Sequence, residues 1–376
     1  LDAVTPTLSG ARRIVVKIGS STLVEAQSGA IKRDWFEAFA ADLAAFRGAG
    51  KDMILVSSGA IALGRRKLGL AEGPLRLDQA QAAAAAGQIA LASAWSEVLA
   101  RHGAAAAQVL LTYADTEERR RYLNARATLN TLLGLGAVPV INENDTVATA
   151  EIRYGDNDRL AARVAAMMEA DALVLLSDID GLYTADPRRD PSARLIPLVT
   201  ALTPEIEAMG AGAGTNMGSG GMATKIMAAK LATAAGCHMA IARGDVLRPL
   251  TVLETGGAHT WFAASATPQA ARKRWIAGTL KPLGRLTVDA GAASALASGK
   301  SLLPAGVLRA EGDFARGDCV SVHTPDGVEV GRGLAAYDLE DARAILGRKS
   351  AEIEGLVGVR GRDEMIHRDD YVSRTV

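Results

Sequence analysis

The sequence predicts an α/β fold, a mainly parallel sheet covered by helices and followed by a smaller β-rich domain. Three features point there. Short, continuously apolar runs alternate with helical patterns through the first two thirds of the chain, and glycine-bearing polar clusters follow several of them. Beyond about Phe262 the pattern changes to short β-like runs broken by Gly, Asp and Pro. Strands apolar on both faces belong in a parallel sheet with helices on each side, and such sheets place ligands beyond the strand carboxyl ends. A length of 376 residues also suits two domains of ~100–200 residues each.

The first predicted strand is Arg13–Ile18, followed by a Gly19-Ser20-Ser21 turn and an amphipathic helix over 34–48. A second strand, 53–56, runs into Ser57-Ser58-Gly59 and a new helical pattern. An alanine-rich helix over Leu77–Arg101, a strand at 108–111, a helix at 123–133 and a strand at 137–141 continue the alternation, and another strand follows at 172–176. After a basic, proline-bearing stretch at 267–274, short strands are expected at 286–288, 320–323 and 328–330. The expected division is a first domain at 1–262, a linker at 263–280, a β-rich domain at 281–360 and a tail at 361–376.

Composition narrows the function classes. Lys+Arg and Asp+Glu number 42 each, so no global field attracts polyanions. The weakly polar run 80–95 contains Gln81, Gln88 and Ser93 and is too polar for a bilayer. The opening residues lack a basic segment followed by an apolar stretch, so a cytoplasmic protein without a secretory signal is expected. Cys237 and Cys319 lie far apart without His partners at metal-ligand spacing; they are expected to be buried thiols rather than parts of a disulfide scaffold or zinc ribbon.

Chemistry concentrates at the predicted strand ends. Lys17 stands where an apolar strand opens into a glycine turn, a place that suits a phosphate because Gly19 lets backbone N–H groups approach an anion. Ser58-Gly59-Ala60 heads a helix and offers a second anion position. Asn142-Glu143-Asn144-Asp145 and Gly155-Asp156-Asn157-Asp158 combine amides with carboxylates, the groups that read both ends of an amino acid. Ser177-Asp178 closes another strand. Gly214, Gly218, Gly220 and Gly221 precede Met222-Ala223-Thr224-Lys225, a glycine-rich loop that ends in a lysine at a helix start. A surface lysine, a capping serine or an Asx turn would each explain one cluster alone. Together they suggest phosphoryl transfer from a nucleotide without a P-loop. Gly299-Lys300-Ser301 is no P-loop, because Ser294 occupies its first glycine position. None of the five histidines has a matching Ser or Cys elbow.

These motifs, joined by Val15-Val16-Lys17-Ile18-Gly19, Arg272-Lys273-Arg274-Trp275-Ile276 and Ser301-Leu302-Leu303-Pro304, resemble the amino acid kinase family over essentially the whole chain. The resemblance is to its branch that acts on the side-chain carboxylate of L-glutamate. It implies a three-layer sandwich followed by a PUA-like domain, and ATP-dependent formation of L-glutamyl 5-phosphate, the first step of proline biosynthesis. It also implies use of Mg²⁺, feedback inhibition by L-proline, a homo-oligomer (dimer or tetramer) and hand-over of the labile product to a glutamyl phosphate reductase.

The expected catalytic set is Lys17, Lys225, Asp158 and Asp178, with the two lysines and Mg²⁺ stabilising the γ-phosphoryl oxygens and Asp178 or Asp158 holding those cations in place; the binding residues follow from the resemblance. Lys17, Ser177 and Asp178 would bind the nucleotide together with Ser219, Gly220, Gly221, Met222, Ala223, Thr224 and Lys225, while Ser58, Asp145 and Asn157 would bind glutamate. Ser219 and Ala223 depart from the Thr and Ser often found there. Metal ligands are not assigned. The balanced charge and few aromatics of 281–360 lead us to expect no RNA binding, and no membrane association is expected.

Overall fold

The computed structural model describes residues 5–25, 27–147, 157–211, 221–279, 281–349, 352–353 and 363–374. The chain divides into two units, Leu1–Pro268 and Gln269–Val376.

The first unit is built on eight strands: β1 (Arg13–Ile18), β2 (Asp52–Ser57), β3 (Ala106–Leu111), β4 (Val138–Glu143), β5 (Ala172–Ser177), β6 (Leu198–Val199), β7 (His238–Arg243) and β8 (His259–Phe262). Their order is β3-β4-β2-β1-β5-β7-β8-β6. Neighbours are parallel from β3 to β7, and β8 runs antiparallel to β7. Pleating sends alternate residues to opposite faces, which separates two apolar cores. Ile14, Val16 and Ile18 of β1 join one with Met53 and Leu55, while Val15 joins the other with Ile54 and Val56. On the first face the helices Arg33–Gly48 and Leu77–Arg101 contribute Trp35, Phe36, Phe39 and Trp95, whose rings pack against one another. The helices Asn157–Met167 and Met222–Ala234 cover the second face. A sheet between two helical layers is the expected three-layer sandwich.

Three strands go beyond those read from the sequence. β6 has only two residues, and β7 and β8 have polar ends at His238, Arg243 and His259, so their periodic signal is weak.

One helix crossing governs the site. The helix Ala60–Lys67 meets Leu77–Arg101 at Gly64 and Gly87. A Cβ on Gly64 would lie 1.7 Å from the Ala83 carbonyl oxygen, and one on Gly87 would lie 1.8 Å from that of Ala60. Only glycine permits this backbone contact, and it sets Gln88, the next residue, beside the end of β4.

The second unit carries β9 (Gly284–Val288), β10 (Val307–Gly312), β11 (Cys319–His323), β12 (Glu329–Leu334) and β13 (Tyr371–Ser373), in the order β10-β9-β11-β12-β13. Pairing is antiparallel except between β9 and β11. Most of the stretch expected as a linker is a helix, Pro268–Thr279. Lys273 and Arg274 are exposed, but Arg272 is buried and its Nε donates to Asp370 at 3.1 Å. Sequence reading missed this because the acid lies 98 positions away. Cys237 and Cys319 are both buried and unbridged. Among the described residues no helix is long and apolar enough to cross a membrane.

Candidate active site

Lys17 is the penultimate residue of β1, and the apolar strand around it holds its side chain almost entirely out of water. Its Nζ lies 2.7 Å from Asp158 Oδ1, and Lys225 Nζ lies 3.3 Å from Asp158 Oδ2. Asp158 and Lys225 each stand in the first turn of a helix, Asn157–Met167 and Met222–Ala234, so Lys225 is helical rather than part of a loop. Thr224 Oγ1 donates to Asp158 Oδ2 at 3.0 Å. Burial pushes the Asp158 carboxyl up, but the two ammonium groups beside it outweigh that and hold it well below the usual carboxylate range. It is therefore ionised, and it balances one of the two positive charges. Such a cluster beside a cavity suits a polyanion.

A second network borders the same cavity. Gly59, at φ +107°, turns the chain from β2 into the next helix and leaves Ser58 at the rim. Asn157 Nδ2 donates to Ser58 Oγ at 2.7 Å and to Asn142 Oδ1 at 3.1 Å, and Asn142 Nδ2 donates to Gln88 Oε1 at 2.8 Å. Asn157 is 5% exposed, yet among the described residues its Oδ1 has no hydrogen-bond partner. Asp145 is also buried, and its carboxylate accepts no hydrogen bond from the described residues; burial pushes its pKa up to about 6. Buried acceptors without partners are rare and call for a donor.

The third wall is the end of β5. Ser177 Oγ donates to Asp178 Oδ1 at 2.9 Å, and Arg188 Nη2 lies 3.8 Å from Asp178 Oδ2. Asp178 is largely exposed and pairs with neither lysine. The acid against the lysines is thus Asp158, a distinction that depends on burial.

The walls enclose a cavity of about 1200 Å³, larger than the ~300–1,000 Å³ typical of one small ligand. Lys17, Ser58, Asp145, Asn157, Ser177, Asp178, Gly221, Met222 and Lys225 all line it. Asp158 and Thr224 support it from behind, and Ala223 is exposed on the helix. Ser219, Gly220, Gly155 and Asp156 lie outside the described residues. Asn142 was legible only as part of a polar cluster, and Gln88 only as a polar interruption of an alanine-rich helix. The described residues hold no group of three His, Cys, Asp or Glu side chains placed to bind a metal.

Paired buried lysines and a large cavity at the ends of parallel strands fit a phosphotransferase. The amino acid kinase family model matches residues 12–243 and the PUA domain model residues 284–357. The chain belongs to the amino acid kinase family, and within it to the glutamate 5-kinase branch. It is 62% identical over 365 residues to glutamate 5-kinase of Paramagnetospirillum magneticum, covering 97% of this chain and 98% of the relative. It is 61% identical over 368 residues to that of Bradyrhizobium sp., covering 98% and 97%, and 61% identical over 371 residues to that of Rhodopseudomonas palustris, covering 99% of each.

Proposed function

We propose that this enzyme transfers the γ-phosphoryl group of ATP to the side-chain carboxylate of L-glutamate, giving L-glutamyl 5-phosphate for proline biosynthesis. The observation that supports this is that one cavity is bordered both by Lys17 and Lys225, paired on Asp158, and by the acceptors of Asp145 and Asn157, of which Asn157 Oδ1 is buried without a partner among the described residues. The full-length kinship with glutamate 5-kinases supports the choice of substrate.

The acceptor carboxylate, with an ordinary pKa of about 4.3, is ionised at neutral pH, so the reaction needs no general base. Positioning and charge stabilisation supply the rate. Lys17 and Lys225 face the phosphoryl oxygens, and Asp158 fixes the two ammonium groups relative to each other. Asp145 and Asn157 Oδ1 accept from the α-ammonium of glutamate. Ser58 Oγ, which accepts from Asn157, keeps its own proton to donate to a carboxylate. The turn after Ser177 and the helix start at Gly221-Met222 border the nucleotide.

Mg²⁺, when bound, would be held chiefly by phosphate oxygens and water, with exposed Asp178 one of the cavity-lining carboxylates that could hold it, and would neutralise phosphate charge. Cytoplasmic location, a homo-oligomer, inhibition by L-proline and hand-over to a reductase belong to the same reading and rest on the family resemblance.

The test is ADP release from ATP and Mg²⁺ with L-glutamate, D-glutamate, L-aspartate, N-acetyl-L-glutamate or UMP, with hydroxylamine trapping any acyl phosphate. Release and hydroxamate formation confined to L-glutamate are expected. Turnover of UMP or N-acetyl-L-glutamate instead would overturn the assignment.

A further inference from the structure

Gln88 touches neither lysine and belongs to none of the polar clusters at the strand ends, yet it ends the amide chain that reaches the acceptor side of the cavity. We infer that Gln88 is a positioning residue that sets which way the Asn142 and Asn157 amides face, and thereby selects an acceptor substrate with a free α-ammonium group.

A carboxamide has a donor end and an acceptor end, and its neighbours decide which points where. Gln88 Oε1 accepts from Asn142 Nδ2 at 2.8 Å, which turns Asn142 Oδ1 toward Asn157. That oxygen accepts from Asn157 Nδ2 at 3.1 Å, and the same nitrogen donates to Ser58 Oγ at 2.7 Å. With its donors used in this direction, Asn157 presents Oδ1, buried and without a partner. Asp145 lines the same cavity and is likewise a buried residue with an acceptor side chain. Two acceptors lining one cavity match a cationic N–H group and repel a second anion. The Gly64–Gly87 contact brings the Leu77–Arg101 helix close enough for Gln88 to reach Asn142 across 54 positions of sequence. Without an acceptor at position 88, Asn142 is free to turn over; Asn157 then turns with it and presents N–H donors to an ammonium group.

This inference rests on the proposed glutamate reaction, and the experiment separates the two. L-glutamate is compared with glutarate, which keeps both carboxylates and lacks the α-amino group, for the wild type and three variants. Gln88→Met has similar length and no acceptor. Gln88→Glu keeps an acceptor for Asn142 Nδ2. Gln88→Lys offers only donors, and the half-buried position leaves room for it. Thermal unfolding is recorded for each.

In Gln88→Met and Gln88→Lys, KM for L-glutamate is expected to rise about tenfold or more, as when an outer partner of a binding group is lost. KM for ATP should stay within about twofold, and the preference for L-glutamate over glutarate should fall by about tenfold. Gln88→Glu should keep the wild-type preference. Equal losses for both acceptors, or an unchanged preference in the variants that fold, would overturn the inference while leaving the glutamate reaction standing. A wild type that does not turn over L-glutamate would overturn both.

Discussion

The two halves of the cavity are built on opposite principles. On the phosphate side, Lys17 and Lys225 are already held by Asp158 at 2.7 and 3.3 Å, and Thr224 adds a further hydrogen bond. On the acceptor side, among the described residues, Asn157 Oδ1 is buried without a hydrogen-bond partner and the largely buried Asp145 carboxylate accepts no hydrogen bond. On the proposed reaction, the difference would let one site handle two substrates. Phosphate charge is met by cations fixed in advance, which lowers reorganisation during transfer. The amino acid instead completes an unfinished network, so an analogue without the matching donor leaves buried acceptors unpaired and is disfavoured.

The sharpest way to break the comparison is on the phosphate side. Lys225→Ala should lower kcat by about 10²-fold or more, as for loss of one transition-state donor. Steady-state turnover measures it; an unchanged kcat would remove Lys225 from the chemistry.

Asp145→Asn should act on the other half. Replacing the carboxylate weakens a charge-assisted bond, so KM for L-glutamate should rise ~10-fold or more, with KM for ATP within about twofold. Equal changes in both would erase the distinction between the halves.

A pH profile sharpens the same point. With a pKa of about 6, Asp145 is mostly ionised at pH 7 and mostly protonated at pH 5. Protonation removes the charge that attracts the ammonium group, so kcat/KM for L-glutamate should fall as pH drops through about 6, and Asp145→Asn should lose that limb. Asp158 does not contribute to it, since its lysines keep it ionised well below this range.

The smallest effect on kcat is expected from the scaffold. Gly87→Ala forces a Cβ against the Ala60 carbonyl, and such overpacking typically destabilises by about 1–3 kcal/mol. Differential scanning calorimetry should show the lower Tm.

The sequence made the phosphate half more legible than the acceptor half. Lys17 stands where an apolar strand stops at a glycine turn, and Lys225 follows a glycine-rich stretch at a helix start, local signals visible without coordinates. Asp158 and Asp178 both looked suitable for holding the lysines, because adjacent residues do not reveal that one is buried between two ammonium groups and the other is open to solvent. Gln88 was hidden for a related reason: its partner lies on another strand, and an alanine-rich helix gives no cue to which of its polar residues faces the site. The parallel sheet was read from the continuous apolar runs of β1, β2 and β5, whereas the helix at Pro268–Thr279 was obscured by its basic, proline-bearing start.

The most direct test of an acceptor half completed by its substrate is calorimetric titration of L-glutamate into the enzyme at pH 6 in buffers of different ionisation enthalpy. An α-ammonium beside Asp145 stabilises its ionised form, so binding should release up to about half a proton per site, and Asp145→Asn should release none. Binding without proton release, or equal release from the variant, would contradict the account.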